Sequence, residues 1–527
     1  MTPHRSGIDT SEQLDLLARE IYAALAEQFP VCLSSDEFHF FPHYRSERHE
    51  VGDWDDFSPD AVRSFLTRAS HWRGRLEKLR PHPPVEALTI NIELLSRVLT
   101  TLEGQLGLVQ PQKSQPTFYL TILSIGLAQS LEQSRDAFGR RMAALPKFLA
   151  AAASNLTKVP TVFRDLAIEM ISSLSAWITL LPLTEGRRSC AMAALQNFRD
   201  HLRRIQTEPD FRLDADLYAL VADVHMGCGM GPGQIGRRLD DEIEAATGHL
   251  VESAGRISPG TPWQTVFHDL PCAEATDRDV AALYHNGIAR LKEHCLQNGF
   301  FQEDAVAGCD VEIRTIAEHM MPVRANAAYS MPPGHPPTGG VFYILPADRQ
   351  TLPRDMLLLA AHETFPGHHL LDTLRWRLDQ PLRRCLEFPL FYEGWASFCE
   401  EILFDTGFFS GPVDRLLMAK RRLWRALRGR AELRIHTGRR RLREAAAELA
   451  AVGLVTPGQA LAMVRRYALK PGYQLSYAIG RRRFSQLYKA YTGQGRTPAQ
   501  FVKAALCEGE IGFDHLERRM LRAGQGP

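Results

Sequence analysis

His362-Glu363-Thr364-Phe365-Pro366-Gly367-His368-His369 is the stretch on which the reading of this 527-residue chain turns. It follows Met356-Leu357-Leu358-Leu359-Ala360-Ala361, an apolar run that predicts a buried helix segment. Three histidines and a glutamate at the end of such a helix need partners, because an unsatisfied polar group in an apolar interior is costly. Neutral imidazole is a common metal ligand, and a carboxylate beside it can act as a general base. The plainer reading is a buried helix end whose histidines are hydrogen-bonded.

The octapeptide is similar to a stretched form of the zinc metallopeptidase signature H-E-x-x-H. In that signature the two histidines sit four apart on one helical face. Here Pro366 stands at the fourth position after His362. Proline disfavours helical backbone at Phe365 and removes a backbone donor, so no straight helix is expected through the segment. A kink or bulge must bring a later histidine back beside His362. On an unkinked helix His369, seven residues on, would share its face. A bulge at Gly367 would present His368 instead. The sequence leaves both open.

A third metal ligand is available in Phe391-Tyr392-Glu393-Gly394-Trp395-Ala396-Ser397-Phe398-Cys399-Glu400-Glu401. Glu393 and Glu400 are seven apart and share a helical face. Gly394 has no side chain, which permits close approach of another element. A catalytic zinc commonly takes three protein ligands and leaves a fourth position for water. His362, one of His368 and His369, and Glu393 form such a set, and Glu400 is placed to orient a ligand histidine. A solvated helix face is the alternative for each glutamate.

Three segments carry a family resemblance: His362 to His369, Glu393-Gly394-Trp395-Ala396, and Pro471-Gly472-Tyr473-Gln474-Leu475-Ser476-Tyr477-Ala478-Ile479-Gly480. Ala327-Ala328-Tyr329 and Gly339-Gly340-Val341-Phe342-Tyr343-Ile344 add to it. From about residue 310 onward the chain resembles the bacterial family catalogued as domain of unknown function 885. That family resembles the gluzincin metallopeptidases. The resemblance implies a mainly α, zincin-like helical metallopeptidase with a small β element near the active-site cleft. It also implies a Zn2+ cofactor on two histidines and a glutamate, with a peptide or peptide-like small substrate. Glu363 would then be the general base. Gln474, Tyr477 and Arg481 share one face of the helix after Pro471-Gly472. The resemblance gives Tyr477 the role of oxyanion donor, helped by Arg481.

The chain departs from the family pattern at Leu371, at His436 and Arg440 around Thr437-Gly438, and at Ala478. These departures keep two other functions in view: a biosynthetic enzyme processing an amide in a non-peptide substrate, and a catalytically silent helical binding protein. Retention of Glu363 argues against silence.

Other features are weaker. Residues 338–346 predict a short strand, with an edge open to an extended peptide or, more plainly, an ordinary buried strand. The glycine-rich run from Gly227 to Gly233 lacks the lysine and serine or threonine of a phosphate loop and reads as a flexible loop. Arg415 to Arg443 holds eleven arginines and Lys420 against one acid, Glu432. It reads as a solvated face or as a basic wall for an anionic substrate.

Helical periodicity dominates the first part of the chain, over residues 10–29, 59–80, 86–107, 117–150, 160–184 and 190–205. An N-terminal helical region, 1–205, and a catalytic region, 206–527, are expected. The chain is 45 % hydrophobic and 23 % charged, as in soluble globular proteins, and its formal charge of +1 makes no case for nucleic acid or membrane. No signal peptide is evident, and nine scattered cysteines suit a reducing cytoplasm. Oligomeric state is not legible.

Overall fold

The computed structural model describes residues 9–45, 53–271, 277–316, 327–345 and 354–522. It is mainly helical, with five short strands among the described residues. The chain divides into two compact units, Met1–Pro209 with Trp376–Leu386, and Asp210–Arg375 with Glu387–Pro527. The excursion Trp376–Leu386 has no counterpart in the sequence reading.

The first unit is built on amphipathic helices that bury one stripe each. They include Thr10–Gln28, Pro59–Lys78, Glu86–Gly104, Thr161–Leu180 and Glu185–Arg204. The single helix expected over 117–150 is two, Pro116–Gln133 and Arg135–Asn155. Ser134 between them is extended, and its side chain accepts the Ala137 N–H, so a cap ends one helix and starts the next. Phe29, Phe41, Phe57, Phe65 and Phe118 form the aromatic centre of this unit. The excursion is tied in by Tyr22, which donates to the Leu382 carbonyl at 3.1 Å, and by Arg383, which donates to Asn91 at 2.7 Å.

The second unit holds a three-stranded sheet and the helices that carry the octapeptide. Gly340–Ile344 is the central strand, parallel to Val311–Thr315 and antiparallel to Ala328–Ser330. Of the two readings of this strand, the ordinary buried strand is the one found, since both its sides are paired. Pro346, expected to close it, lies outside the described residues. Helices Pro232–Ile257 and Gly411–His436 pack together, as do Pro389–Asp405 and Leu475–Thr492. Among the described residues no helix is long and apolar enough to cross a membrane.

Candidate metal centre

The helix Met356–Glu363 stops where the proline requires it to, and a new helix, His368–Trp376, starts at once. The peptide between Phe365 and Pro366 is cis. Gly367 donates its N–H to the Ala361 carbonyl at 3.1 Å. A Cβ on Gly367 would lie 1.9 Å from the His362 carbonyl oxygen, so only glycine fits there. Trp395 fixes the break from the neighbouring helix by donating its indole N–H to the Pro366 carbonyl at 2.8 Å. The result is a tight reversal that sets the His368 ring 4.8 Å from the His362 ring.

Glu393 completes the group. One ligand atom each from His362, His368 and Glu393 lies within 4.8 Å of the others, and all three residues are buried. Both Nε2 atoms stand 3.5 Å from Glu393 Oε2. That is long for a hydrogen bond, and Oε2 has no hydrogen-bond partner although it is buried. The same spacing suits a shared ion: ligand atoms about 2.0–2.2 Å from a tetrahedral zinc are roughly 3.3–3.6 Å apart. The donor set therefore fits a metal, with Nε2 of each histidine and Oε2 of Glu393 as the contacting atoms.

Burial and the neighbouring charges act differently on the three groups. Burial pushes His362 down to about 3, so its ring is neutral. Burial acts likewise on His368, but the carboxylates of Glu393, Glu363 and Asp372 outweigh it and raise the ring. Burial opposes ionisation of Glu393 too, yet the two histidines hold it well below the usual carboxylate range.

His369 is turned away from this group. Its Nδ1 accepts from the Tyr329 hydroxyl at 2.8 Å, and its Nε2 meets the Cys309 carbonyl at 3.1 Å. Both ring nitrogens are thus spent on tying this helix to the sheet and to the segment before it. Burial holds the ring down at about 4. Of the two histidines left open by the sequence, His368 is the one grouped with His362 and Glu393.

The close approach expected at Gly394 is found, and its partner is Gly480 on the helix Leu475–Thr492. This crossing brings Tyr473, just before that helix, onto Glu393, where its hydroxyl donates to Oε1 at 2.6 Å. The Tyr477 ring packs edge-on against that of Tyr473 at 5.8 Å, and Glu393 lies near enough to act on its hydroxyl electrostatically. The sequence reading quotes Tyr473 only within the family segment and gives it no role, because it lies in the turn before the helix that carries Tyr477.

Two further carboxylates stand behind the histidines. Asp372, one turn after His368, accepts from Tyr392 and Arg375, and the Tyr392 ring stacks on His368 at 4.0 Å. Nδ1 of His368 is buried without a hydrogen bond, and Asp372 is the acid one turn away. Glu400 reaches His362 less directly than expected. Its Oε1 accepts from Arg421 and Arg425, each at 2.7 Å, and Arg425 Nη2 lies 3.2 Å from His362 Nδ1.

Glu363 is buried, and no hydrogen bond to a described residue occupies its carboxylate. Burial pushes it up to about 7, against the pull of His368, Arg421 and Arg425. Arg481 is otherwise engaged: its guanidinium pairs with Glu242 at 2.6 Å and with Glu401. It is a buried structural cation, which removes the reason to pair it with Tyr477. The arginine-rich stretch is a solvated face only in part: Arg415, Arg439, Arg440, Arg441 and Arg443 are exposed. Arg421, Arg422 and Arg425 point inward to Asp355, Glu400 and Glu242. The departures from the family pattern do packing work. Leu371 is fully buried, His436 stacks on Tyr218, and Arg440 pairs with Glu448.

The profile of the bacterial family of unknown function 885 matches residues 44–520. Two solved structures of proteins provisionally called lipoproteins share the fold. The one from Colwellia psychrerythraea has a TM-score of 0.81 at 16% identity, over 98% of this chain and 100% of that one. The one from Shewanella oneidensis, of unknown function, has a TM-score of 0.73 at 16% identity over the same shares. No curated protein matches the chain.

Proposed function

The chain belongs to that bacterial family of unknown function 885, and we propose that it is a zinc-dependent hydrolase of peptide or peptide-like amide bonds, with a zincin-like helical catalytic unit. The observation that carries this reading is the convergence of His362 Nε2, His368 Nε2 and Glu393 Oε2 beside the unengaged carboxylate of Glu363. A zinc ion held there polarises a carbonyl and lowers the pKa of a bound water.

The chain's own residues divide the remaining work. Glu363 takes a proton from the water and passes it to the leaving amine, a task suited to a group raised toward neutrality. Tyr477 is the candidate donor to the developing oxyanion. Tyr473 positions Glu393 through its 2.6 Å hydrogen bond. Asp372 is the carboxylate available to hold His368 with its outer nitrogen protonated, and Glu400 fixes Arg425 beside His362. Free cysteines, most of them buried, fit a reducing compartment such as the cytoplasm.

Elemental analysis and a peptide digest test the reading together. Protein purified without chelators carries about one zinc per chain, and His362→Ala, His368→Ala and Glu393→Ala lose it while His369→Ala keeps it. Glu363→Gln keeps the zinc and loses about a hundredfold or more in turnover. Full zinc in the first three variants, or normal turnover in the last, sinks the proposal.

A further inference from the structure

On the helix Gly411–His436, Arg421, Arg422, Arg425, Arg430 and Arg434 each reach an acid. Arg428 reaches none among the described residues. Its guanidinium lies 4.6 Å above the ring of Tyr477, and its Nε is buried without a hydrogen-bond partner. Arg428 also acts on Tyr467, and so does Arg466, a second half-buried arginine that makes no ion pair among the described residues. Tyr467 is 7% exposed, and its hydroxyl is buried with no partner. The carboxyl near Tyr467 is Glu432, which burial keeps mostly protonated at neutral pH, pushed up to about 8. Among the described residues, two guanidiniums that make no ion pair thus stand near a buried hydroxyl that has no hydrogen-bond partner.

We infer that Arg428, Arg466 and Tyr467 form an anion subsite that holds the C-terminal carboxylate of the substrate. The inference rests on the hydrolase reading and makes the activity that of a carboxypeptidase. Arginine presents a planar fork of N–H donors that matches a carboxylate, and the tyrosine adds a third donor. Arg428 lies on the face of the Tyr477 ring, and Tyr477 in turn feels the charge of Glu393. A substrate whose chain end meets Arg428 would thus run past Tyr477 toward the metal centre, a reach of about one or two residues of extended chain.

Three N-acylated peptides of one length test this with the zinc-loaded full chain. One ends in a free carboxylate with apolar side chains, one is its C-terminal amide, and one is an amide whose last side chain is glutamate. The free acid is expected to be cut with a kcat/KM about tenfold or more above its amide, chiefly through KM. Tyr467→Phe should bring the acid down toward the amide, and Arg428→Gln should lower the ratio of acid to amide cleavage in the same direction. Arg428→Lys should keep part of the preference. Tyr467→Phe removes a hydroxyl with no internal partner, so it tests the site without threatening the fold.

Equal cleavage of acid and amide overturns the inference, as does a preference that survives in both Arg428→Gln and Tyr467→Phe. Preference for the glutamate amide over the free acid overturns the assignment to the chain end. If none of the peptides is cut, calorimetric binding of the free acid and its amide still decides. A free acid bound about tenfold more tightly, with the advantage lost in Tyr467→Phe, supports the subsite while the hydrolase reading fails. Equal binding overturns the subsite.

Discussion

Gly394 and Gly480 meet with no side chain between them: a Cβ on Gly394 would lie 2.6 Å from the Gly480 Cα, and one on Gly480 would lie 2.1 Å from the Leu390 carbonyl oxygen. The obstacles are backbone atoms, which cannot swing aside. The helix bearing Glu393 and the helix behind Tyr473 and Tyr477 can cross this closely only at these two positions. The crossing is what delivers both tyrosines to a candidate ligand more than seventy residues away in sequence.

Gly480→Ala should therefore cost stability and loosen the metal centre together. Overpacking of this kind typically costs about 1–3 kcal/mol. Gly255→Ala, in a helix position with nothing within 4 Å, is the control and should be neutral or stabilising by up to about 1 kcal/mol. Denaturant unfolding and zinc titration of the two variants measure the contrast. A Gly480→Ala protein as stable and as zinc-competent as its parent would refute the account of the crossing.

The two tyrosines should separate by phenotype. Tyr473 donates to Glu393, so Tyr473→Phe should weaken zinc retention, by about ten- to a hundredfold if it acts as other groups behind metal ligands do. Tyr477, as an oxyanion donor, acts mainly in the transition state. Tyr477→Phe should keep zinc and substrate affinity and lose about ten- to a thousandfold in rate. Zinc competition with a chromophoric chelator and steady-state kinetics distinguish them. A Tyr477→Phe variant whose sole defect is a raised Michaelis constant is incompatible with the role.

The grouping of His362 with Glu393 is legible as a candidate because histidine and glutamate are dense there in an apolar context. Glu363 stands out by the same local signal. The choice of His368 over His369 is not legible. It depends on a reversal at Pro366-Gly367 and on Tyr329 and Cys309, which come from segments that sequence spacing cannot place. Arg481 is hard to place for the same reason: its partners Glu242 and Glu401 come from other helices. The basic stretch misleads because its acids sit on other helices, as Glu400 and Glu242 do. Ser134 misses by a different route, since apolar periodicity runs on across a capping break that one serine makes.

Glu432 provides a test of the fold by pH, away from the candidate ligands. Burial raises its carboxyl from 4.5 to about 8, although Oε1 accepts from Tyr218 at 3.0 Å and from the Gly472 N–H at 2.8 Å. The folded state therefore binds this proton more tightly than the unfolded chain does. Below about pH 4.5 both states are protonated, and the group costs the fold nothing through ionisation. As pH rises from there to about 8, the unfolded chain ionises first and stability falls, by up to about 1.4 kcal/mol per pH unit. Above that range both states are ionised and the loss levels off. Glu432→Gln removes the titration and keeps an oxygen acceptor for the Tyr218 hydroxyl and the Gly472 N–H. Its unfolding free energy should change less between pH 5 and pH 8 than that of the parent, so the gap between the two proteins should shift in the variant's favour across that window. Denaturant unfolding at several pH values measures this difference, in which other titrating groups such as Asp55 cancel. Parallel stability curves for the two proteins would mean that Glu432 is already ionised in the fold.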